Sequence, residues 1–552
     1  MYQILVAASL SKASLQLLED DPEVEFEVCK PPLPVPARTC APVPDRVQAG
    51  TGDRVQVDEK AQGFLAACDA IIVSSQVTVD EQLLEGAPHL KVIGRAGTGL
   101  DNIDVEAASR RGVLVMNVPG GNTIAAAEHT MALILALCRN IPQAQASLKR
   151  GEWRRGDFLG VQLYDKVLGI IGLGRIGSLV ARRAQGFRMT VVAYDPHISV
   201  EAARDLQVTL LEWEELLRRA DFITLHAPLT PSTRGLISAQ DIAQMKPGVR
   251  IVNAARGALI DPTALYEALT SGHVAGAALD VFDTEPPEGN PLLSLPNVIA
   301  TPHLGSKTEE ARRGVSIQIV NQVLDALRGR DYQNAVNMPL AGSFSFQELR
   351  PYLSLAERIG SMQMQLAQGR MSRVEVEYRG PEVSKLVKPL TTALLKGLLT
   401  PIVGQDQVNY VNAPLLANQR GVIVAQVKGL PGPDYPNLIS CHLITDSGER
   451  LIAGTLFSRK LPRIVQIDEY RMDALPEGIM LVMASQDVPG VIGKVGAFLG
   501  QHNINIAEWR LGRNQPGDRA LSVINLDNEV PDQVMEELAE LSEVIDIRQV
   551  VL

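Results

Sequence analysis

The 552-residue sequence predicts an α/β protein: two successive doubly wound parallel domains, then an α+β segment and a terminal βαββαβ unit. Three observations predict it. Short apolar runs alternate with helix-length segments over residues 1–118. The same rhythm returns, more regularly, after Lys166. Residues 478–552 then read strand–helix–strand twice. Apolar runs separated by helical crossovers indicate parallel strands covered on both faces.

The elements follow in order. Met1-Tyr2-Gln3-Ile4-Leu5-Val6-Ala7-Ala8 reads as a first strand and lacks the basic segment that opens a signal peptide. Ala70-Ile71-Ile72-Val73, Lys91-Val92-Ile93-Gly94 and Val113-Leu114-Val115-Met116 read as buried strands. Pro31-Pro32-Leu33-Pro34-Val35-Pro36 and the polar residues to Lys60 interrupt them as a surface excursion, because repeated proline suits neither helix nor central strand. A helix opens at Asn122 or Thr123 and runs to Cys138, apolar on most faces, as a buried spine or an interface helix would be. Strands follow at Val167–Ile171, Thr190–Tyr194, Phe222–Leu225, Arg250–Val252, Ala277–Leu279 and Val298–Ala300. A helix from Lys307 to Arg328 carries the chain back toward the first domain, and residues 341–470 form a mixed region without legible chemistry.

Composition narrows the function. A net charge of -11 without a Lys/Arg run argues against nucleic acid, so an anionic substrate must be held by a local group of arginines. Cys29, Cys40, Cys68, Cys138 and Cys441 are odd in number and scattered, which predicts reduced thiols, a cytoplasmic setting and no metal site. Apolar stretches such as Met131–Cys138 fall short of the ~18 residues of a membrane span, so no membrane is expected.

Two constellations carry chemistry. Gly172-Leu173-Gly174-Arg175-Ile176-Gly177 follows a strand and opens a helix, so its glycines supply a tight turn, close approach to a pyrophosphate, and helix–strand packing. Asp195 ends the next strand, where a carboxylate accepts ribose hydroxyls and repels a 2′-phosphate; the cofactor expected is NAD. The second constellation is Arg256, Glu285 and His303, each just past a strand of this sheet. Hydride transfer from C2 of a hydroxy acid needs a base for the hydroxyl proton, and histidine suits that near neutral pH. A neighbouring carboxylate orients the ring and stabilises its charged form, while a guanidinium grips the substrate carboxylate and polarises the C2 oxygen. Singly, each residue reads equally well as a cap or a core contact; the set is the stronger signal.

The stretches Gly94-Arg95-Ala96-Gly97-Thr98-Gly99-Leu100-Asp101-Asn102-Ile103-Asp104, Gly169 to Gly177, Val252 to Gly257, Ala278 to Phe282 and Pro302-His303-Leu304-Gly305 resemble the D-isomer-specific 2-hydroxyacid dehydrogenase family. The resemblance implies two Rossmann-like domains: a discontinuous substrate domain (1–118 and 307–336) and an NAD domain (119–306). An intervening domain (341–470) and an ACT-like domain (478–552) follow, as in the family's long form. It implies cofactor contacts at Thr98, Gly172, Gly174, Arg175, Ile176, Gly177, Asp195, Ala227, Ala254, Arg256, Asp280, His303 and Gly305. Arg95, Asn122 and Arg155 match substrate positions, with Arg155 supplied by the neighbouring copy of a homo-oligomer, a dimer or tetramer. The implied activity is NAD-dependent oxidation of 3-phospho-D-glycerate, the opening step of L-serine synthesis.

Ser74 departs from the pattern: these enzymes usually place an arginine there, and the loop that follows is shorter. One phosphate ligand is thereby missing, a place that Arg38, Arg46 or Arg54 of the excursion could fill. In the tail, Asp487-Val488-Pro489-Gly490-Val491-Ile492 and Asn503-Ile504-Asn505-Ile506 resemble an ACT module, which implies an amino-acid effector such as L-serine held by Asp487 and Asn505. Dimerisation without a ligand is the other reading of this module. Two further readings of the whole chain stay open: a dehydrogenase of another 2-hydroxy acid, and an NAD-sensing regulator without turnover.

Overall fold

A computed structural model describes residues 1–29, 59–339, 346–430 and 434–552. The proline-rich excursion with Arg38, Arg46 and Arg54 lies outside the described residues. The chain divides into two compact units. One comprises Met1–Ser9, Leu18–Asn117 and Ile319–Leu552; the other comprises Leu10–Leu17 and Val118–Gln318.

The first unit opens with a parallel sheet of β1 (Tyr2–Ala7), β2 (Val24–Val28), β3 (Ala70–Val73), β4 (Val92–Arg95) and β5 (Leu114–Met116), in the order β2-β1-β3-β4-β5. Ile4, Leu5, Val6 and Ala7 are fully buried, as a central strand covered on both faces requires. The sequence reading does not include β2. Its Val-Glu-Phe-Glu-Val alternation belongs to an edge strand, where charged side chains discourage pairing with another chain.

The second unit is built on seven parallel strands: β6 (Val167–Ile171), β7 (Thr190–Tyr194), β8 (Thr209–Leu210), β9 (Phe222–Leu225), β10 (Val249–Asn253), β11 (Val274–Leu279) and β12 (Val298–Ala300). Their order, β12-β11-β10-β9-β6-β7-β8, reverses direction between β6 and β9. Ligands of open α/β sheets bind where strand order reverses, outside the carboxyl ends of the strands. The helix Thr123–Arg139 lies in the core on one face, with Ala127, Met131, Leu133, Ile134, Leu137 and Cys138 buried against Leu168, Ile170 and Val191 of the sheet. Its N-cap is Asn122, whose side chain makes no capping bond, and Asn140 ends it in a left-handed conformation.

The rest of the first unit carries two more sheets. One is β13 (Met371–Arg379), β14 (Ile423–Leu430), β15 (Leu438–Thr445), β16 (Gly448–Phe457), β17 (Leu461–Ile467) and β18 (Tyr470–Ala474), in which only β13 and β14 pair in parallel. The other is antiparallel: β19 (Ile479–Gln486), β20 (Ile506–Arg513), β21 (Arg519–Leu526) and β22 (Val544–Val551) in the order β20-β21-β19-β22. The helices Val491–Gln501 and Asp532–Ala539 complete its βαββαβ pattern. No single helix among the described residues is long and apolar enough to cross a membrane.

Candidate active site

The dinucleotide loop is shaped by its glycines. Gly172 turns with φ +92 directly after β6, and a Cβ there would stand 2.8 Å from the backbone of His226. A Cβ on Gly177 would fall 2.1 Å from the Gly172 carbonyl oxygen, so the helix Arg175–Gly186 packs on its own entry loop only with glycine. Gly174, the N-cap of that helix, would meet nothing within 4 Å, leaving the backbone open toward a ligand. The N–H groups of a first helical turn have no intrahelical acceptors and attract a phosphate.

Asp195 lies one residue past β7. It accepts the Leu173 N–H at 2.8 Å on one oxygen and the His197 N–H at 2.8 Å on the other, which fixes the carboxylate beside the glycine loop. Arg175 donates to the Pro119 carbonyl at 2.7 Å, and Ile176 packs on the core below. Ala227 and Ala254 follow β9 and β10, and Asn117 donates to the Thr98 carbonyl at 2.6 Å within the first unit. An open cradle, an exposed helix start and a fixed acid fit a dinucleotide without a 2′-phosphate.

β10, β11 and β12 are neighbours, and each delivers one residue beyond its carboxyl end. After β10, the buried Asn253 donates to the Arg256 carbonyl at 2.9 Å and accepts the Ala255 N–H at 3.0 Å, fixing the turn that presents Arg256. A Cβ on Gly257 would stand 1.9 Å from the Phe282 carbonyl carbon, so this turn is pressed against the loop that follows β11. In that loop, Glu285 accepts the Phe282 N–H at 3.1 Å through one oxygen. Its other oxygen lies 2.8 Å from His303 Nδ1. The pairing assigns the Nδ1 hydrogen to His303 and leaves Nε2 as the ring's acceptor. Both side chains reach solvent, at 47% and 38% exposure.

His303 has φ +53 and sits in a turn built on one residue, Asp280. The Asp280 carbonyl accepts the His303 N–H at 2.9 Å. Its carboxylate, with 0% exposure, accepts the N–H groups of Leu304 at 2.7 Å and Gly305 at 2.8 Å, and the Thr301 hydroxyl at 2.6 Å. His129 Nε2 lies 3.1 Å from the same group. Burial alone would push this carboxyl up; the bonds from His129, Thr301, Leu304 and Gly305 outweigh it and hold Asp280 below the usual carboxylate range. Sequence reading missed His129, whose only signal was a histidine within an apolar helix. It also missed His226, beside Gly172, which burial pushes down to about 4 and so keeps neutral.

Among the remaining sequence-derived residues, Arg155 lies exposed in a 3-10 turn between Trp153 (81% exposed) and Leu159 (91%). Arg95 belongs to the first unit and donates to the Ala96 carbonyl at 3.0 Å. Ser74 follows β3, where its carbonyl accepts Asn102 Nδ2 at 3.1 Å. Asp487 lines a cavity of about 190 Å³ with Ser485, Val491, Trp509, Leu511 and Ser522. It accepts Arg513 at 3.0 Å and the Gly517 N–H at 2.9 Å. Asn505 does not join it: its side chain donates to Asp527 at 2.6 Å and is not among the lining residues.

Comparison with known proteins matches residues 131–305 to the D-isomer specific 2-hydroxyacid dehydrogenase NAD binding domain. Residues 348–468 match the D-3-phosphoglycerate dehydrogenase intervening domain, and residues 479–543 match the ACT domain. Among solved structures, the apo D-lactate dehydrogenase of Escherichia coli is 28% identical, with a TM-score of 0.51 over 61% of this chain and 100% of that one. A glyoxylate reductase from Paecilomyes thermophila gives 28% identity and a TM-score of 0.52 over 61% of this chain and 98% of that one. Fold and site thus define an NAD-dependent 2-hydroxyacid dehydrogenase.

Over 87% of its length the chain is 45% identical to D-3-phosphoglycerate dehydrogenase of Methanocaldococcus jannaschii, covering 91% of that protein. The enzyme of the same name from Bacillus subtilis is 41% identical over 88% of this chain and 93% of its own. The chain belongs to the D-3-phosphoglycerate dehydrogenase family.

Because Asp280 is a carboxylate held below its ordinary value of 3.8, the stability it contributes is present above that pH and is lost as pH falls through the lower folded value. Asp280→Asn should therefore cost about 2 kcal/mol at neutral pH. In urea titrations the gap to wild type should narrow toward the acid end; a gap constant across pH would contradict an ionised Asp280.

Proposed function

We propose that this chain oxidises 3-phospho-D-glycerate to 3-phosphohydroxypyruvate with NAD, the first step of L-serine biosynthesis. The observation that carries the proposal is the His303–Glu285 contact at 2.8 Å, on strand ends beside the one that delivers Arg256. His303 Nε2 takes the proton of the C2 hydroxyl. Glu285 holds the ring by Nδ1 and stabilises the imidazolium that results. Arg256 grips the substrate carboxylate and polarises the C2 oxygen. NAD held by this chain would supply the acceptor for the hydride that leaves C2. The residues that hold it are Gly172, Gly174, Arg175, Ile176, Gly177, Asp195, Ala227, Ala254, Asp280 and Gly305, with Thr98.

Arg95, Asn122 and Arg155 are the substrate residues of this reading. Trp153 and Leu159 are large apolar side chains left in water on either side of Arg155, a pattern that marks an interaction surface. A second copy covering them carries Arg155 to its neighbour, so the working form is at least a dimer. The domain limits follow the same reading: 1–118 with 307–336, 119–306, 341–470 and 478–552. The reduced thiols of Cys68, Cys138 and Cys441, all buried, support a cytoplasmic setting.

Two experiments test the proposal. NADH formation should be rapid with 3-phosphoglycerate and at least tenfold slower with unphosphorylated 2-hydroxy acids, the discrimination that charge-assisted bonds to a phosphate supply. The opposite preference would mean that Ser74 marks a site for another 2-hydroxy acid. The tail is tested by calorimetry with L-serine. Heat of binding that disappears in Asp487→Ala assigns the cavity an effector, while no heat leaves the module to dimerisation.

A further inference from the structure

We propose that His129 is a positioning residue for the reaction: its Nε2–H bond to the Asp280–Thr301 pair sets the turn that aims the His303 ring. The inference rests on His303 being the base.

The geometry fixes where the hydrogen lies. Thr301 spends its hydroxyl hydrogen on Asp280 Oδ1 at 2.6 Å. Its oxygen can therefore only accept from His129 Nε2, which lies 3.3 Å away. The Asp280 oxygen at 3.1 Å belongs to an ionised carboxylate and likewise only accepts. With acceptors on both sides, Nε2 carries the hydrogen whatever the charge of the ring.

The route from this bond to the reacting atoms is short. Three consecutive backbone N–H groups, those of His303, Leu304 and Gly305, end on Asp280, the first on its carbonyl and the others on its carboxylate. A tilt of that carboxylate therefore tilts the turn. His303 in turn holds φ +53, an uncommon conformation for a non-glycine residue that persists only where the surroundings impose it. Among the described partners of the carboxylate, Thr301, Leu304 and Gly305 belong to the same turn, and only His129 comes from elsewhere. It comes from the helix Thr123–Arg139, whose neighbouring Ala126, Ala127, Thr130 and Met131 are all buried. The helix is a fixed reference, and His129 transmits its position to the turn.

The test uses the full-length chain with NAD and whichever 2-hydroxy acid it turns over. His129→Phe keeps a ring and removes the donor. It should lower kcat on the order of tenfold, because a misaimed general base loses transition-state stabilisation, with the substrate KM within about threefold of wild type. His129→Gln, whose amide restores an N–H near the same place, should recover most of the loss. Thr301→Val removes the other arm of the pair and should reproduce the kcat effect even if His129→Phe does not fold. His303→Ala runs alongside to separate the positioning role of His129 from the role of His303 as the base. If His303→Ala abolishes turnover while folded His129→Phe and Thr301→Val keep wild-type kcat, the positioning role is overturned and the base survives. If His303→Ala itself keeps wild-type kcat, the assignment of the base fails first.

Discussion

Withdrawing a carboxylate from water is costly unless every part of it is met by a donor, and Asp280 is met by four. The arrangement does more than neutralise a penalty. Two of the donors are the backbone N–H groups just after His303, so satisfying the acid and shaping the turn are one event. The His303 N–H ends on the Asp280 carbonyl, so the turn with φ +53 is held to this residue at three consecutive amides. The proposed base would need a defined angle, and the buried charge just past β11 is the group to which its turn is anchored.

The sheet supplies the neighbourhood. Because β10, β11 and β12 are adjacent and parallel, their carboxyl ends open on the same edge and deliver Arg256, Glu285 and His303 to it. The glycine loop sits on that edge at the end of β6, where strand order reverses. Binding of the cofactor and chemistry on the substrate thus depend on a single topological fact. Gly257 shows how tightly the loops are pressed: any side chain there would enter the backbone of Phe282 and Asp283 and displace the turn that follows Arg256.

Much of this was legible in the sequence because the signals are local. Gly172, Gly174 and Gly177 lie within one turn, Asp195 follows at the next strand end, and Arg256, Glu285 and His303 each stand a few residues past an apolar run. What stayed hidden depends on contacts between distant segments. His129 and Asp280 stand far apart in sequence, near opposite ends of the 118–318 stretch, and nothing in the helical pattern marks the face that meets the acid. β2 and β8 escaped because an edge strand need not be an apolar run, the first alternating with glutamates and the second only two residues long. In the tail, Asp487 lines a cavity, whereas the Asn505 side chain bonds to Asp527 just past β21, a partner distant in sequence that no local pattern announces.

Whether His303 and Glu285 act as one unit is tested most directly by a double-mutant cycle on kcat/KM. His303→Ala, Glu285→Gln and the double variant are compared in the oxidation direction. If the carboxylate works only through the ring, the double variant is no slower than His303→Ala alone, and the losses are far from additive. Additive losses would mean that Glu285 acts on the substrate independently, and the pair at 2.8 Å would not be the catalytic unit.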